Sequence, residues 1–526
     1  MSNPFSFGEL EFNLVGSLEE GGGGKPEPET PFRLLVMGDF SGRTNRGASE
    51  PGSVLASLRP LEVDRDNFDD VLKRLGVRLR LDVAGEGQTP FELRFQELED
   101  FHPDQLYSQL EIFHALRHMR RRLSSSSTFD EAAREMRSWA RAAEPSAASD
   151  RTPAAPAKES PADAPNTETT SDLIAQMLSA SEQSRPSART SSESADLNQF
   201  LREIVGPHLV ADIEAEQEEL IGAVDSAVGE LMRSILHHPD FQSLEAAWRS
   251  LHFLVSRVET DTNLKLYLLD ISQSELDADL RAAEDLRRSA LYKLLVEQST
   301  GTLGGDPWAA VVGNYTFDET RQSAELLGRI ARIARQSGAP FIAGASPRLV
   351  GADGFAQTPD PDDWRSTDET EGSPAWASLR RLPEAAYLGL ALPRFLLRLP
   401  YGEETEPTDS FDFEEMPGGS RHESYLWGNA ALACAYLLAD AFTRSEWEMQ
   451  PGDVQQITDL PLHIYEEDGE SQVKPCAEIL LGERAVERIL DAGLMAFVSF
   501  RGQDEIRLVR FQSLALPPTR LAGRWS

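Results

Sequence analysis

The sequence predicts a mixed α/β fold, in which a small strand-helix unit packs on a larger mixed-sheet domain covered by helices. Short apolar runs, such as residues 32–40 and 341–345, have the length and composition of buried strands. Between such runs lie segments with apolar residues every three or four positions, for example 221–235, which is typical of amphipathic helices. A tract rich in Ala, Pro and Ser separates the two regions and is predicted to be a disordered linker.

The pattern divides the 526 residues into four regions. Residues 1–30 combine an alternating, strand-like stretch, ELEFNLV, with a glycine-rich acidic linker. Residues 31–142 form the small domain, with strands at 32–40, 77–83 and 91–95 and helices at 66–75, from 103 onward and at 129–142. Residues 143–196 are the linker, which contains a helical island at 171–178, and residues 197–526 form the larger domain.

Charge and composition restrict the possible partners. The chain has 51 Lys and Arg against 87 Asp and Glu, a net charge of −36, which repels nucleic-acid phosphates and anionic lipids. No apolar run approaches the ~20 residues that span a bilayer, and the first residues do not resemble a signal peptide. We therefore expect a cytoplasmic protein without nucleic-acid binding or membrane insertion, whose two cysteines, Cys434 and Cys476, are buried thiols.

No motif predicts a catalytic, cofactor or metal site. The neighbouring His237 and His238 would point about 100° apart on a helix, so capping at the helix end before Pro239 is favoured over metal binding. The glycine-rich stretch 301–307 lacks the Lys-Ser/Thr of a phosphate-binding loop. The acidic stretches 359–371 and 409–415 are interpreted as solvated loops. The sequence thus favours a non-enzymatic protein without cofactors.

Apolar and aromatic residues at turns indicate packing and protein contacts instead. Residues 393–402 and 427–429 are predicted to lie in the core. The helical island in the linker presents Leu173, Ile174, Met177 and Leu178, which fit either a docking peptide or a helix that folds back on its own core.

Several long segments carry a resemblance to one family. PFRLLVMGDFSGR (31–43) and LRPLEVDRDNFDDVLKRLGVRL (58–79) resemble the small sheath subunit, TssB or VipA, of the bacterial type VI secretion system. ILHHPDFQSLEAAWRSLHFLV (235–255), YLGLALPRFLLRLPYG (387–402) and YLWGNAA (425–431) resemble the large subunit, TssC or VipB. The chain thus resembles both subunits fused together, with the large-subunit part shortened at its C-terminal end.

The resemblance implies a structural role. Paired small and large subunits would form a contractile sheath around an inner tube, so that contraction propels the tube. The implied partners are sheath subunits, either copies or paralogues, the hexameric inner-tube protein, the baseplate and an AAA+ unfoldase. The unfoldase would dock on Leu173, Ile174, Met177 and Leu178, while Leu10, Phe12 and Leu14 would form a strand between subunits. The alternative is a sheath-like accessory or regulatory protein that binds the sheath or baseplate without polymerising.

Overall fold

The computed structural model describes residues 26–47, 58–82, 90–143, 201, 204–205, 217–299, 305–365, 374–467 and 469–525. The predicted intersubunit strand with Leu10, Phe12 and Leu14 lies outside these residues. So does the predicted docking helix with Leu173, Ile174, Met177 and Leu178, together with almost all of the predicted linker.

The described strands and helices alternate over most of the chain. The strands are β1 Phe32–Gly38, β2 Leu61–Val63, β3 Arg78–Leu81, β4 Phe91–Arg94, β5 Leu264–Asp270, β6 Ala310–Phe317, β7 Phe341–Ala345, β8 Leu388–Leu392, β9 Phe395–Leu396, β10 Trp427–Gly428, β11 Gln456–Ile457, β12 His463–Glu467, β13 Glu470–Lys474, β14 Met495–Ser499 and β15 Ile506–Leu508. The helices are α1 Phe68–Leu75, α2 Pro103–Gln109, α3 Glu111–Ser124, α4 Phe129–Ala143, α5 Gln217–Leu236, α6 Pro239–Arg257, α7 Gln273–Ala282, α8 Ala290–Tyr292, α9 Arg321–Ser337, α10 Pro374–Arg380, α11 Ala430–Ser445 and α12 Glu483–Asp491. Among these helices, none combines the length and the apolar composition that a membrane crossing requires.

The described residues divide into two compact units. The first contains those of Met1–Val83, Pro90–Leu106 and Arg233–Ser526, and the second contains those of Ala84–Thr89 and Tyr107–Met232.

A nine-stranded mixed sheet organises the first unit, in the order β11-β15-β14-β8-β7-β6-β1-β5-β2. The neighbours from β14 to β5 run parallel, whereas β2, β15 and β11 pair antiparallel at the two ends. The parallel strands are almost entirely buried, as expected for a sheet that is covered on both faces. This architecture confirms the predicted mixed α/β fold.

The N-terminal strand β1 lies inside this sheet and not beside it. It pairs with β5 from Phe32↔Leu264 to Gly38↔Asp270, and its other edge pairs with β6. The continuous apolar sequence FRLLVMG explains why this strand can be buried on both faces. Two segments that the sequence separates by more than 200 positions therefore share one hydrogen-bonded sheet.

Helices cover the two faces of the sheet. On one face, Leu35 and Met37 of β1 join a hydrophobic cluster with residues of α7, α8, α9 and α10. On the other face, Phe32 stacks on Phe442 of α11, with 4.5 Å between ring centroids. Because side chains alternate along a strand, Leu34 and Val36 point to this second face and are fully buried there.

The second unit is helical. Ion pairs join its helices, with Arg120 Nε 2.7 Å from Asp225 Oδ1 and Arg122 Nη1 2.7 Å from Glu135 Oε2. Its apolar side chains, among them Phe113, Leu116 and Trp139, are buried.

Some predicted element boundaries were wrong. The helix predicted from residue 103 onward is two helices, α2 and α3, because Leu110 adopts an extended conformation. The pattern of YLWGNA and the residues that follow predicts a helix over 425–442. The structure instead places β10 at Trp427–Gly428, and α11 begins only at Ala430, where Asn429 caps it by accepting a hydrogen bond from Ala431 N. Pro239 does end the preceding helix, but it is also the first residue of α6.

We expect β1 to control the stability of the whole first unit. Val36→Asp would place a carboxylate in the centre of the sheet, so we expect it to lower the free energy of unfolding by about 3–5 kcal/mol. Urea unfolding followed by fluorescence measures this. Arg80→Asp, on an exposed position of β3, is the matched control and should change stability by less than about 0.5 kcal/mol. Equal effects of the two substitutions would contradict a central role of β1.

Candidate functional site

The candidate site is the set of buried polar contacts that hold three motifs of the first unit in place. These motifs are the GDFSG turn after β1, the LPRFLLRLPYG segment around β9 and the YLWGNA segment around β10. Each one is held by polar contacts with residues from a distant part of the chain.

Asp270, at the end of β5, holds the GDFSG turn. Its Oδ1 accepts hydrogen bonds from Phe40 N (2.8 Å) and Ser41 N (3.0 Å), and its Oδ2 accepts one from the Ser41 hydroxyl (2.7 Å). Burial raises the pKa of Asp270, while these hydrogen bonds favour its charged form. Gly42 follows with a φ of +73°, and a Cβ there would lie 2.3 Å from Arg78 O, so the turn requires glycine.

Two further contacts complete this junction. Arg43 forms an ion pair with Glu275, with 2.6 Å between Nη2 and Oε1. Burial alone would raise the pKa of Glu275, but the hydrogen bonds from Arg43 and Ser272 bring it below its usual value. Trp248 Nε1 of α6 donates to Phe40 O at 2.7 Å. The turn after β1 is therefore held by both β5 and α6.

A buried charge cluster fastens the LPRFLLRLPYG segment to α6. Arg398 Nε lies 2.9 Å from Glu245 Oε1, and Arg398 Nη1 lies 2.7 Å from Glu415 Oε2. The side chains of Glu245 and Glu415 are fully buried. Arg249 bridges Glu245 and the hydroxyl of Tyr401, at 2.7 and 3.0 Å. One loop and one helix are thus joined by alternating charges.

Glu415 was wrongly predicted to lie in a solvated loop. Burial opposes its charged form, but the charge of Arg398 and the hydrogen bonds from His237 and Arg398 lower its pKa to about 2. His237 Nε2 lies 3.3 Å from Glu415 Oε1, and the neighbouring His238 accepts a hydrogen bond from Asp240 N as the cap of α6. The predicted capping at the end of the preceding helix was therefore wrong in position, because His238 caps the start of the following helix.

A second cluster joins Arg394, and His422 just before the YLWGNA segment, to Glu478 after β13. Glu478 accepts from Arg394 at 2.5 Å and lies 3.1 Å from His422 Nε2. Burial opposes the charged form of Glu478, but the hydrogen bonds from His422 and Arg394 and the charge of Arg394 lower its pKa to about 2. Lys474 Nζ lies 5.0 Å above the ring of Tyr425, a cation–π contact.

The structure confirms most of the predicted core positions. Within 393–402 only Arg394 is exposed, Leu397 and Leu399 are partly buried, and the other residues are buried. Trp427 and Gly428 are buried as well, while Asn429 is partly buried. Cys434 and Cys476 are buried free thiols, as predicted.

Glu245, Asp270 and Arg398 were not singled out from the sequence. A signal existed for Glu245, since it lies on the apolar face of α6 between Leu244 and Trp248.

The described residues contain no group of three or more His, Cys, Asp or Glu side chains placed to hold a metal ion. The hydroxyl of Ser41 donates to Asp270 and accepts from Arg46 Nη2 at 3.0 Å, so its contacts are those of a structural residue. The arrangement can hold chain segments in fixed register, and its chemistry is that of ion pairs and hydrogen bonds.

We expect the Glu415 cluster to make stability depend on pH in the acid range. The pKa of Glu415 is about 2 in the folded protein, against 4.5 for a free side chain, so its ionised form stabilises the fold fully above about pH 5. That contribution, at most about 3 kcal/mol, is lost as pH falls from about 4.5 towards 2. Urea unfolding of Glu415→Gln and of the unaltered protein should differ most at pH 7 and converge near pH 2.5.

The matched control is Asp412→Asn, which removes an exposed carboxylate from the same loop. Its stability should follow that of the unaltered protein at every pH. A difference between Glu415→Gln and the unaltered protein that stays constant from pH 7 to 2.5 would contradict the linkage.

Two regions of the chain match models of known protein families. Residues 218–515, more than half of the chain, match the model for "EvpB/VC_A0108, tail sheath N-terminal domain". Residues 18–138 match the model for "Type VI secretion system, VipA, VC_A0107 or Hcp2".

Two relatives from Pseudomonas aeruginosa agree with these matches. The type VI secretion system sheath protein TssC1 is 35% identical over 306 residues, which are 57% of this chain and 61% of the relative. The sheath protein TssB1 is 29% identical over 111 residues, which are 20% of this chain and 62% of the relative. The chain thus spans about three fifths of the length of each of these relatives. It belongs to the type VI secretion tail sheath family, with a small-subunit region and a large-subunit region fused in one chain.

Proposed function

We propose that this chain is a structural component of a type VI contractile sheath, in which its two family regions form a ready-paired small and large subunit. The observation that carries the proposal is the position of β1. This strand belongs to the region that matches the small-subunit family, and both of its edges are hydrogen-bonded by strands of the large-subunit region.

Fusion favours this pairing. When two binding segments belong to one chain, their association becomes intramolecular and gains from a high effective concentration. The proposed organisation is a strand region at 1–30, a small-subunit region at 31–142, a tether at 143–196 and a large-subunit region at 197–526. The tether keeps β1 available to the sheet without a second translation product.

The proposed work is mechanical and involves no covalent step. Packing between neighbouring copies would have two stable arrangements, extended and contracted, and the change between them would propel an inner tube. Buried ion pairs such as Arg398 with Glu245 and Glu415 support this role, because they keep each subunit rigid while the contacts between subunits change. The proposed partners are other sheath subunits, the inner-tube hexamer, the baseplate and an AAA+ unfoldase, all in the cytoplasm.

Electron microscopy tests the sheath function. The purified protein, alone or with a partner sheath subunit, should form long tubes. Phe12→Asp should abolish the tubes, because Leu10, Phe12 and Leu14 are the proposed strand between subunits, and it should leave the melting temperature unchanged. Asn13→Asp is the control that adds the same charge at the neighbouring polar position. Dispersed particles under all conditions would favour the accessory or regulatory protein instead.

A pulldown with the AAA+ unfoldase tests the proposed docking helix. The double variant Leu173→Asp and Met177→Asp removes two of the four apolar side chains of this helix and leaves Ile174 and Leu178 in place. We therefore expect binding to the unfoldase to fall at least about tenfold. Gln176→Asp adds a charge at a polar position of the same segment and should bind normally. Undiminished binding of the double variant would contradict the docking role.

A further inference from the structure

A groove of about 710 Å³ lies in the first unit between strand β12 and the loop that follows β9. The loop contributes residues from Pro400 to Ser420, and the strand contributes all of its residues, His463–Glu467. Tyr401, whose hydroxyl accepts a hydrogen bond from Arg249, lines one side of the groove.

The walls of the groove carry one sign of charge. Among the described residues, the lining contains no lysine or arginine. It includes five exposed glutamates, Glu403, Glu404, Glu414, Glu466 and Glu467. The lowered dielectric of a groove focuses such a field and raises the local concentration of cationic groups. The charge therefore selects a basic occupant.

The edge of β12 faces this groove. Side chains of a strand alternate between its two faces, so a wall built from five consecutive residues is formed by the strand's edge. β12 pairs with β13 on one side, and within the described chain its backbone has no hydrogen bond to any other segment. An unpaired edge is a template for an added strand.

The groove also offers apolar contact. Ile464 on β12 is 57% exposed, the highest value among the large hydrophobic side chains of the described residues. Met416 and Tyr465, both half-buried, line the groove beside it. A single isolated apolar side chain needs no explanation, but one on a free strand edge inside an acidic groove fits a peptide contact.

We propose that this groove binds an extended basic segment of another protein, which adds to β12 as a third strand. Ile464 and Glu466 lie on one face of β12, and Tyr465 and Glu467 lie on the other. Lys or Arg side chains on one face of the added strand would therefore lie beside Glu467, while apolar side chains on its other face would contact Ile464. The strand-like segment ELEFNLV of a second copy does not fit, because Glu9 and Glu11 would be repelled by the same glutamates. The proposed occupant is therefore a basic segment of a different protein, and its binding would not require polymerisation.

A labelled synthetic peptide, Lys-Val-Lys-Val-Lys-Val-Lys, tests the proposal with the full-length protein. Fluorescence anisotropy in about 150 mM salt should show saturable binding. The double variant Glu466→Gln and Glu467→Gln should weaken this binding at least about tenfold. The double variant Glu218→Gln and Glu219→Gln makes the same change in net charge at exposed positions of α5 and should change the affinity by less than about twofold.

A second peptide separates strand addition from charge attraction alone. Replacing each Val by Pro keeps the four lysines but removes the N–H donors of three alternate residues and fixes their φ at about −65°, which an added strand does not tolerate in its interior. We therefore expect binding to fall at least about tenfold. Equal binding of the two peptides, equal weakening by both double variants, or no saturable binding of the first peptide would each overturn the proposal.

Discussion

The backbone hydrogen bonds on both edges of β1 are the interaction on which the first unit depends. The strand fills a slot between β5 and β6, and without it these two strands would have unpaired edges in the middle of a buried sheet. Buried backbone groups without partners cost several kcal/mol together, so the sheet is complete only when the N-terminal region is in place. This makes the small-subunit region part of the fold of the large-subunit region.

The buried charges give this packing its register. A buried ion pair contributes little net stability, since desolvation opposes the attraction, but separating its members leaves uncompensated charge in the interior. Asp270, at the end of β5, holds the turn after β1 in one position. Arg398, between Glu245 and Glu415, likewise ties its loop to one position on a distant helix. Alternative placements of these loops are disfavoured because they would break such pairs.

The net negative charge of the chain affects how copies of it approach one another. A net charge of −36 makes copies of the chain repel one another at long range, and salt screens that repulsion over about 8 Å. The proposed assembly into a lattice would therefore depend on close local contacts. The acidic groove beside β12 shows how the same charge can select a basic partner while it keeps similar copies away.

The sequence by itself determined the local elements and the family. Apolar runs predicted strands such as β7 at its observed bounds, and the motifs around GDFSG, LPRFLLRLPYG and YLWGNA indicated sheath subunits before any contact was known. A capping box, Ser272 with Glu275, marks the start of α7 and would have located that helix, which was not predicted. Local signals suffice for such elements because their partners lie within a few residues.

Only the tertiary structure decided the order of the strands in the sheet and which charged side chains are buried. Three features depend on residues far away in the chain. They are the position of β1 between β5 and β6, the pairing of Trp427 with β9 before α11 begins, and the burial of Glu415. Periodicity reports which face of an element is apolar, but not which other element covers it. An acidic loop with a buried glutamate therefore reads like a solvated one until the arginine that neutralises it is placed beside it.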